Sequence, residues 1–137
     1  KKKQIVLRLD GTGVMVTGVY RLLMEVLYNL CDNAIKYNRN GGTVSIETGE
    51  EGPWAKITVR DTGIGIPPED QCHVFERFYR VDKSRSKSSG GTGLGLSIVK
   101  HAVQYHNGEI KLKSRPGEGT EITVLLQKRL SLLGGSI

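Results

Sequence analysis

Polar side chains recur at intervals of four residues in the first third of the chain. They are Glu25, Asn29 and Asn33, and the line continues to Lys36 and Tyr37. Steps of four keep side chains on one stripe of a helix. An asparagine oxygen suits Mg²⁺, which keeps water and phosphate oxygens among its ligands, and a lysine meets a phosphate as a point charge. The alternative, a solvated helix face, explains two mid-helix asparagines poorly, because helix propensity disfavours them.

A second motif with chemical potential is Asp61-Thr-Gly63-Ile-Gly65, which directly follows a predicted strand. A carboxylate at a strand end can accept a hydrogen bond from an exocyclic amine, and neighbouring glycines let a flat base come close. Taken alone, an aspartate in this position is more simply explained as a turn cap. The motif therefore gains weight only together with other signals of nucleotide binding.

Four glycines fall within positions 90–95, just before a predicted apolar helix. The backbone N–H groups of such a loop approach an anion closely, and a helix N-terminus favours negative charge, so the segment indicates phosphate binding. Two common templates fail. A Walker A loop needs lysine where Leu96 stands, and the dinucleotide fingerprint lacks its third glycine. A flexible glycine linker is the alternative.

Composition indicates a single globular domain. The chain has 137 residues, of which 37% are hydrophobic and 25% charged, and this balance argues against a disordered chain. Its apolar runs are too short to span a bilayer, and we expect no signal peptide. Two cysteines without a CxxC pair fit a reducing compartment. The net charge of +6 permits an anionic partner, and it weakly supports a nucleic-acid-binding module as one alternative.

Hydrophobic periodicity and turn residues predict an α+β fold, a two-layer sandwich with helices on one face of a mixed sheet. The predicted strands lie at 5–9, 14–16, 43–48, 54–60, 109–115 and 120–127, and the predicted helices at 19–37, 69–77 and 94–106. We expect Thr17 to cap the first helix, a hairpin loop over 49–53, and Gly108 to end the last helix. The helix positions expected in the core are Leu23, Val26, Leu27, Leu30, Ala34, Leu94, Ile98, Val99, Ala102 and Val103.

Four motifs, in this order, resemble the boxes of a known family. They are Asn29-Leu-Cys-Asp-Asn33-Ala-Ile-Lys36-Tyr37 as an N box, Asp61-Thr-Gly63-Ile-Gly65 as a G1 box, Phe75-Glu-Arg-Phe78-Tyr-Arg80 as an F box and Gly91-Thr-Gly93-Leu-Gly95-Leu as a G2 box. Each box alone is weak, but four in order with compatible spacing are specific. Over 4–127 the chain resembles the catalytic ATP-binding domain of bacterial sensor histidine kinases. This resemblance implies a Bergerat-type sandwich, in which about three helices cover one face of a mixed, mostly antiparallel sheet.

The resemblance also implies roles for the matching positions. Asn29 is expected to bind Mg²⁺, Asp61 to accept the adenine amino group, and Lys36 and Arg80 to offset charge on the phosphates of ATP. Glu25 is expected to orient groups or, as in related ATPases, to activate water. The other residues expected to line the nucleotide are Asn33, Tyr37, Gly63, Gly65, Gly91, Thr92, Gly93, Leu94, Gly95 and Thr120. Phe75 and Phe78 are expected to anchor a lid over 81–93 or to belong to the core.

The implied reaction is phosphoryl transfer from ATP to a histidine on a separate dimerisation domain. The implied partners are ATP or ADP, that acceptor domain, and a response regulator, with no nucleic acid and no direct membrane insertion. The parent is expected to be a membrane-anchored homodimer that keeps this domain, residues 1–127, in the cytoplasm; residues 128–137 are expected to be a tail. Alternatives are an anti-sigma-type serine kinase, another ATPase of this fold, or a degenerate nucleotide-binding sensor.

Two departures from the family pattern stand out. Gly18-Val19 replaces the common Gly-Asp before the first helix, so a polar contact at that helix start is expected to be missing. None of His73, His101 and His106 is followed by an acidic residue, as family acceptor histidines are. We therefore expect the chain to bind ATP without phosphorylating itself, and His101 and His106 to be ordinary helix residues.

Overall fold

The computed structural model describes residues 6–11, 16, 18–76 and 95–128. Within these ranges the elements are β1 (Val6–Gly11), α1 (Tyr20–Lys36), β2 (Thr43–Glu51), β3 (Trp54–Asp61), α2 (Pro68–Gln71), α3 (Gly95–Tyr105), β4 (Glu109–Arg115) and β5 (Gly119–Gln127). None of these helices is long and apolar enough to cross a membrane. The predicted strand at 14–16, except Val16, the loop at 81–93 and the tail beyond Lys128 lie outside the described residues.

The five strands form one sheet in the order β1-β2-β3-β5-β4. β1 runs parallel to β2, and every other neighbouring pair is antiparallel. This confirms the predicted mixed, mostly antiparallel sheet. A parallel pair needs a crossover connection, and α1 provides it. The pairing of β3 with β5 sets Asp61 opposite Thr120, which brings together two residues that are distant in the sequence.

The helices α1 and α3 pack on one face of the sheet through apolar stripes. The buried helix residues are Val26, Leu30, Ala34, Leu96, Val99, Ala102 and Val103. They pack with buried strand residues, chiefly Val44, Val59, Ile122 and Val124. Each Val, Leu or Ile side chain among them contributes about 1.5–3 kcal/mol when fully buried. Leu27 and Ile98, which were expected in the core, are only half-buried, because each lies at the edge of its helix's apolar stripe.

The opposite face of the sheet carries charged side chains. The Arg60 guanidinium bridges two neighbouring strands, with Nε 3.1 Å from a Glu121 oxygen and Nη1 3.2 Å from a Glu47 oxygen. The hydrogen bond to Glu121, together with the Coulomb attraction of both carboxylates, raises the pKa of Arg60 above its ordinary value. These side chains are exposed enough for solvent to screen them.

The start of α1 is held by His106, which lies in the turn directly after α3, so the expectation that His106 is an ordinary helix residue is wrong. The N-cap residue is Val19, which has no capping side chain, so the prediction of Thr17 as the cap is wrong. The Val19 N–H donates to Nε2 of His106 over 2.9 Å, and Nδ1 of His106 lies 2.7 Å from the Ala102 carbonyl oxygen. Because a carbonyl only accepts, Nδ1 carries the proton. His106 thus supplies a polar contact at the helix start that the sequence led us to expect was missing.

The end of α3 corrects a second expectation. Asn107, rather than Gly108, adopts the left-handed conformation, with φ of 56°. The Gly108 N–H donates to the Val103 carbonyl and the Asn107 N–H to the Gln104 carbonyl, which is the Schellman pattern of helix ends. Gly108 is needed for a different reason, since a Cβ there would overlap the Leu125 carbonyl oxygen.

One turn and one short helix are shorter than predicted. β2 continues to Glu51, which pairs with Trp54, so the turn between β2 and β3 shrinks to two residues. The short helix predicted at 69–77 spans only Pro68–Gln71. After it, the His73 and Glu76 N–H groups bond three residues back, a tighter winding than an α-helix allows.

Candidate functional site

Asp61 ends β3 with its side chain turned into the protein. The residue is only 8% exposed, and its Oδ1 accepts the Gly63 N–H over 2.8 Å. Burial raises the pKa of the carboxyl above its ordinary value, and the backbone N–H groups of Gly63 and Thr120 partly oppose that rise. The site therefore presents a desolvated carboxyl group, and bulk water competes little for its hydrogen bonds.

The glycines around Asp61 occupy positions where a side chain does not fit. A Cβ on Gly63 would overlap the Tyr37 carbonyl oxygen, and one on Gly65 would overlap that of Arg115. Gly65 also has φ of 75°, which L side chains rarely adopt. Across the sheet, a Cβ on Gly119 would overlap the carbonyl oxygen of Asp61. Backbone thus packs directly on backbone around this carboxyl, and this close packing requires glycine at all three positions.

Thr120 belongs to a small network of hydroxyl groups behind the carboxyl. Ser114 Oγ accepts the Ile66 N–H over 2.8 Å and donates its proton to the Gly119 carbonyl over 2.9 Å. The Thr120 hydroxyl lies 2.9 Å from Ser114 Oγ. With the serine proton on Gly119, Thr120 is the donor in this contact, and its oxygen keeps lone pairs for another partner. Sequence reasoning missed Ser114, although it is the one polar residue on the inward face of β4.

The Asn29 side chain on α1 lies beside the beginning of α3. Its Nδ2 donates to the Glu25 carbonyl over 2.7 Å, which fixes the orientation of the amide. Its Oδ1 faces Gly95, whose Cβ position would lie 3.3 Å away. A single amide oxygen next to the predicted phosphate-binding loop fits Mg²⁺, which takes one or two protein ligands and completes its shell with water and phosphates. Among the described residues, no group of three or more His, Cys, Asp or Glu converges on a metal position.

The other predicted residues of α1 have contacts of different kinds. Lys36 Nζ lies 3.1 Å from an Asp32 carboxylate oxygen one turn earlier. Asn33 is half-buried, and its backbone carbonyl accepts the Tyr37 N–H. Tyr37 reaches the loop after Asp61 through its backbone, since its carbonyl accepts the Ile64 N–H over 3.1 Å. Glu25 takes part through its backbone carbonyl, which accepts the hydrogen bond from the Asn29 side chain.

The structure brings part of the predicted site together and leaves part untested. Asp61 at the end of β3 accepts the Gly63 N–H and lies opposite Thr120 near the start of β5, with Gly65 in the loop that follows Asp61, and Asn29 faces Gly95 at the start of α3. The remaining predicted residues, which lie outside the described ranges, are Phe78, Arg80, Gly91, Thr92, Gly93 and Leu94. Their roles stay predictions.

The sheet thus carries α1 and α3 on one face and a buried carboxyl among glycines at the end of β3. The profile of the family described as "Histidine kinase-, DNA gyrase B-, and HSP90-like ATPase" matches residues 18–130. The chain belongs to this family.

Within the family the chain is similar to sensor histidine kinases, which confirms the resemblance seen in the four boxes. It is 52% identical over 113 residues to the sensor-like histidine kinase SenX3 of Mycolicibacterium smegmatis, covering 82% of this chain and 29% of SenX3. The solved mycobacterial sensor histidine kinase MprB superposes with a TM-score of 0.79 at 33% identity, covering 92% of this chain and 85% of that one. Full-length ShkA, solved in complex with AMPPNP, superposes with a TM-score of 0.72 at 25% identity, covering 90% of this chain.

Several of these relatives are much longer than the chain. It spans less than a third of the curated relatives that it matches, for example 29% of SenX3. It likewise covers 25% of the full-length ShkA chain. The similarity therefore concerns one domain of each of these longer proteins.

Proposed function

We propose that this chain binds an adenine nucleotide with Mg²⁺ and serves as the phosphate-donating domain of a sensor histidine kinase. The observation that carries the proposal is the buried Asp61 carboxyl among glycines, opposite Thr120. An adenine amino group can donate to this carboxyl while the ring lies against bare backbone. The Thr120 oxygen supplies a second acceptor at the same edge, directly or through water.

The phosphates are proposed to extend from this base pocket towards the start of α3. Asn29 is the residue that would hold Mg²⁺, because its Oδ1 faces Gly95 there. When bound, the ion would supply positive charge that offsets the charge of the phosphates. Lys36 is proposed to assist as a cation, in exchange for its present pairing with Asp32. Arg80 and the glycines of 91–95 are proposed to complete the phosphate side.

The reaction is proposed to be transfer of the γ-phosphate to a histidine elsewhere in a longer parent protein. Protein groups in such reactions mainly position the reactants and stabilise charge. The proposed domain comprises 1–127, with 128–137 as a tail. By analogy with sensor kinases, we propose a homodimeric, membrane-anchored parent that keeps this domain in the cytoplasm and passes the phosphate to a response regulator.

The alternative functions are less well supported. The similar proteins are named as histidine kinases, which disfavours a serine kinase or another ATPase of the fold. A degenerate sensor is disfavoured because all four boxes are intact in the sequence. A nucleic-acid-binding module rests on net charge alone.

Calorimetric titration tests the proposal. The 137-residue chain is titrated with ADP, a non-hydrolysable ATP analogue and GDP, each with and without Mg²⁺. We expect ADP to bind better than GDP, because guanine presents a carbonyl where adenine has its amino group. Asp61→Asn should weaken ADP binding by about tenfold or more, since a hydrogen bond to a charged group contributes about 1.5–3 kcal/mol.

Glu47→Gln is the matched control. It also removes one carboxylate, but on the opposite face of the sheet, where Glu47 pairs with Arg60. Its ADP affinity should stay within about twofold of the wild type. Absence of ADP binding by the folded wild-type chain would refute the proposal, and equal losses in both variants would refute the assignment of Asp61.

A further inference from the structure

Arg39 connects two loops that meet beside the candidate base pocket. It lies three residues beyond the end of α1, and its Nη2 donates to two backbone carbonyls. One is that of Gly63, at 3.0 Å, and the other is that of Gly117, at 2.8 Å. One guanidinium nitrogen therefore joins the segment after β3 to the turn between β4 and β5.

The position of Arg39 is itself fixed by its neighbour. Asn38 is 4% exposed, and its Oδ1 accepts the Arg39 N–H over 2.9 Å. Its Nδ2 donates to the Thr43 carbonyl at the start of β2 over 3.0 Å. The arginine thus extends from an anchored piece of backbone, so less conformational entropy is lost when its side chain holds the two carbonyls.

Both joined loops carry residues of the candidate pocket. Gly63 donates its N–H to Asp61, and Gly117 lies in the turn that leads to Thr120. The two loops are also linked by the β3–β5 pairing and by a backbone hydrogen bond, in which the Gly117 N–H donates to the Ile64 carbonyl over 2.7 Å. Hydrogen bonds from a charged donor are roughly twice as strong as neutral ones, so Arg39 adds to this link, although solvent reaches its exposed side chain.

We propose that Arg39 is a positioning residue for the base pocket, and this inference rests on the proposed function. Its guanidinium holds the loop after Asp61 against the turn before Thr120, so that the carboxyl, the glycine surface and the threonine oxygen keep the spacing that adenine requires. Arg39 acts through these backbone groups and does not itself contact the nucleotide.

The test compares Arg39→Ala with Arg21→Ala in the 137-residue chain. Both variants lose one exposed arginine, but Arg21 lies near the opposite end of α1. Affinities for ADP and GDP are measured by calorimetry, and exchange of the Gly117 N–H is followed by NMR. We expect Arg39→Ala to bind ADP about tenfold more weakly, with a reduced preference over GDP and faster Gly117 exchange. Arg21→Ala should match the wild type in all three.

Arg39→Lys separates positioning from charge and serves if the alanine variant does not fold. A lysine keeps the charge but is shorter and lacks the planar fork, so we expect roughly two- to fivefold weaker ADP binding. Wild-type affinity and wild-type Gly117 exchange in this variant, or in Arg39→Ala, would overturn the inference while leaving the proposed function intact. Absence of ADP binding by the wild type would instead overturn the proposed function, and the inference with it.

Discussion

Replacing Gly63 with alanine should disturb both stability and the candidate pocket. The new Cβ would overlap the Tyr37 carbonyl oxygen and lie 2.9 Å from Asn38 Cα and 3.0 Å from Asp61 Oδ1. Two of these three neighbours are backbone atoms at the end of α1, which cannot rotate away as a flexible side chain can. The loop after Asp61 must therefore move, and with it the N–H that Gly63 donates to the carboxylate.

The magnitude follows from the contacts that such a movement breaks. Forcing one extra carbon into a packed site typically costs about 1–3 kcal/mol. The Ile64 N–H also loses the Tyr37 carbonyl, which it now reaches over 3.1 Å, and a hydrogen bond contributes about 1 kcal/mol. We expect Gly63→Ala to lower the free energy of unfolding by about 2–4 kcal/mol.

Urea unfolding followed by circular dichroism measures this loss, and ADP calorimetry on the same samples reports on the pocket. Gly49→Ala is the matched control, because nothing lies within 4 Å of a Cβ at that position. It should be neutral or stabilise the chain by up to about 1 kcal/mol. If Gly63→Ala were as stable as Gly49→Ala and bound ADP like the wild type, the close packing around Gly63 would be refuted.

Three further results are expected from denaturant unfolding. Burial raises the folded-state pKa of Asp61, so the wild type loses stability as pH rises through that pKa. The stability of Asp61→Asn relative to the wild type should therefore increase from about pH 3 to about pH 7. A difference in stability that does not change with pH would contradict the pKa shift. His106→Ala should cost about 1 kcal/mol, because the Val19 N–H loses its acceptor; no loss would contradict that bond. Asn107→Gly should be neutral or stabilising, whereas Asn107→Val should cost about 1–2 kcal/mol; equal stabilities would contradict the left-handed conformation.

The regular elements were largely predictable because they depend on local patterns. The apolar stripe of α1 and the alternation along β3 appear within the sequence neighbourhood of each residue. The position of Asp61 at a strand end followed from the same patterns, and the structure places the carboxyl there. Its role as an adenine acceptor stays a prediction.

The contacts that sequence reasoning missed are long-range or locally ambiguous. His106 reaches Val19 across 87 residues, and Arg39 reaches Gly117 across 78 residues; neither contact leaves a local trace. At the end of α3, Asn107 and Gly108 both tolerate the left-handed conformation, so residue types alone did not decide between them. The overlap with Leu125, which dictates glycine at 108, becomes visible only once β5 is in place.

The placement of β5 between β3 and β4 also bears on how the domain opens. Asp61 and Thr120 face each other only while β5 stays paired with β3. Under the proposed function, a nucleotide that touches both residues binds only molecules in which this pairing is closed. Its binding free energy then adds to the free energy needed to separate the β4–β5 hairpin from β3. The β4–β5 hairpin would therefore separate from β3 less often at higher nucleotide concentrations.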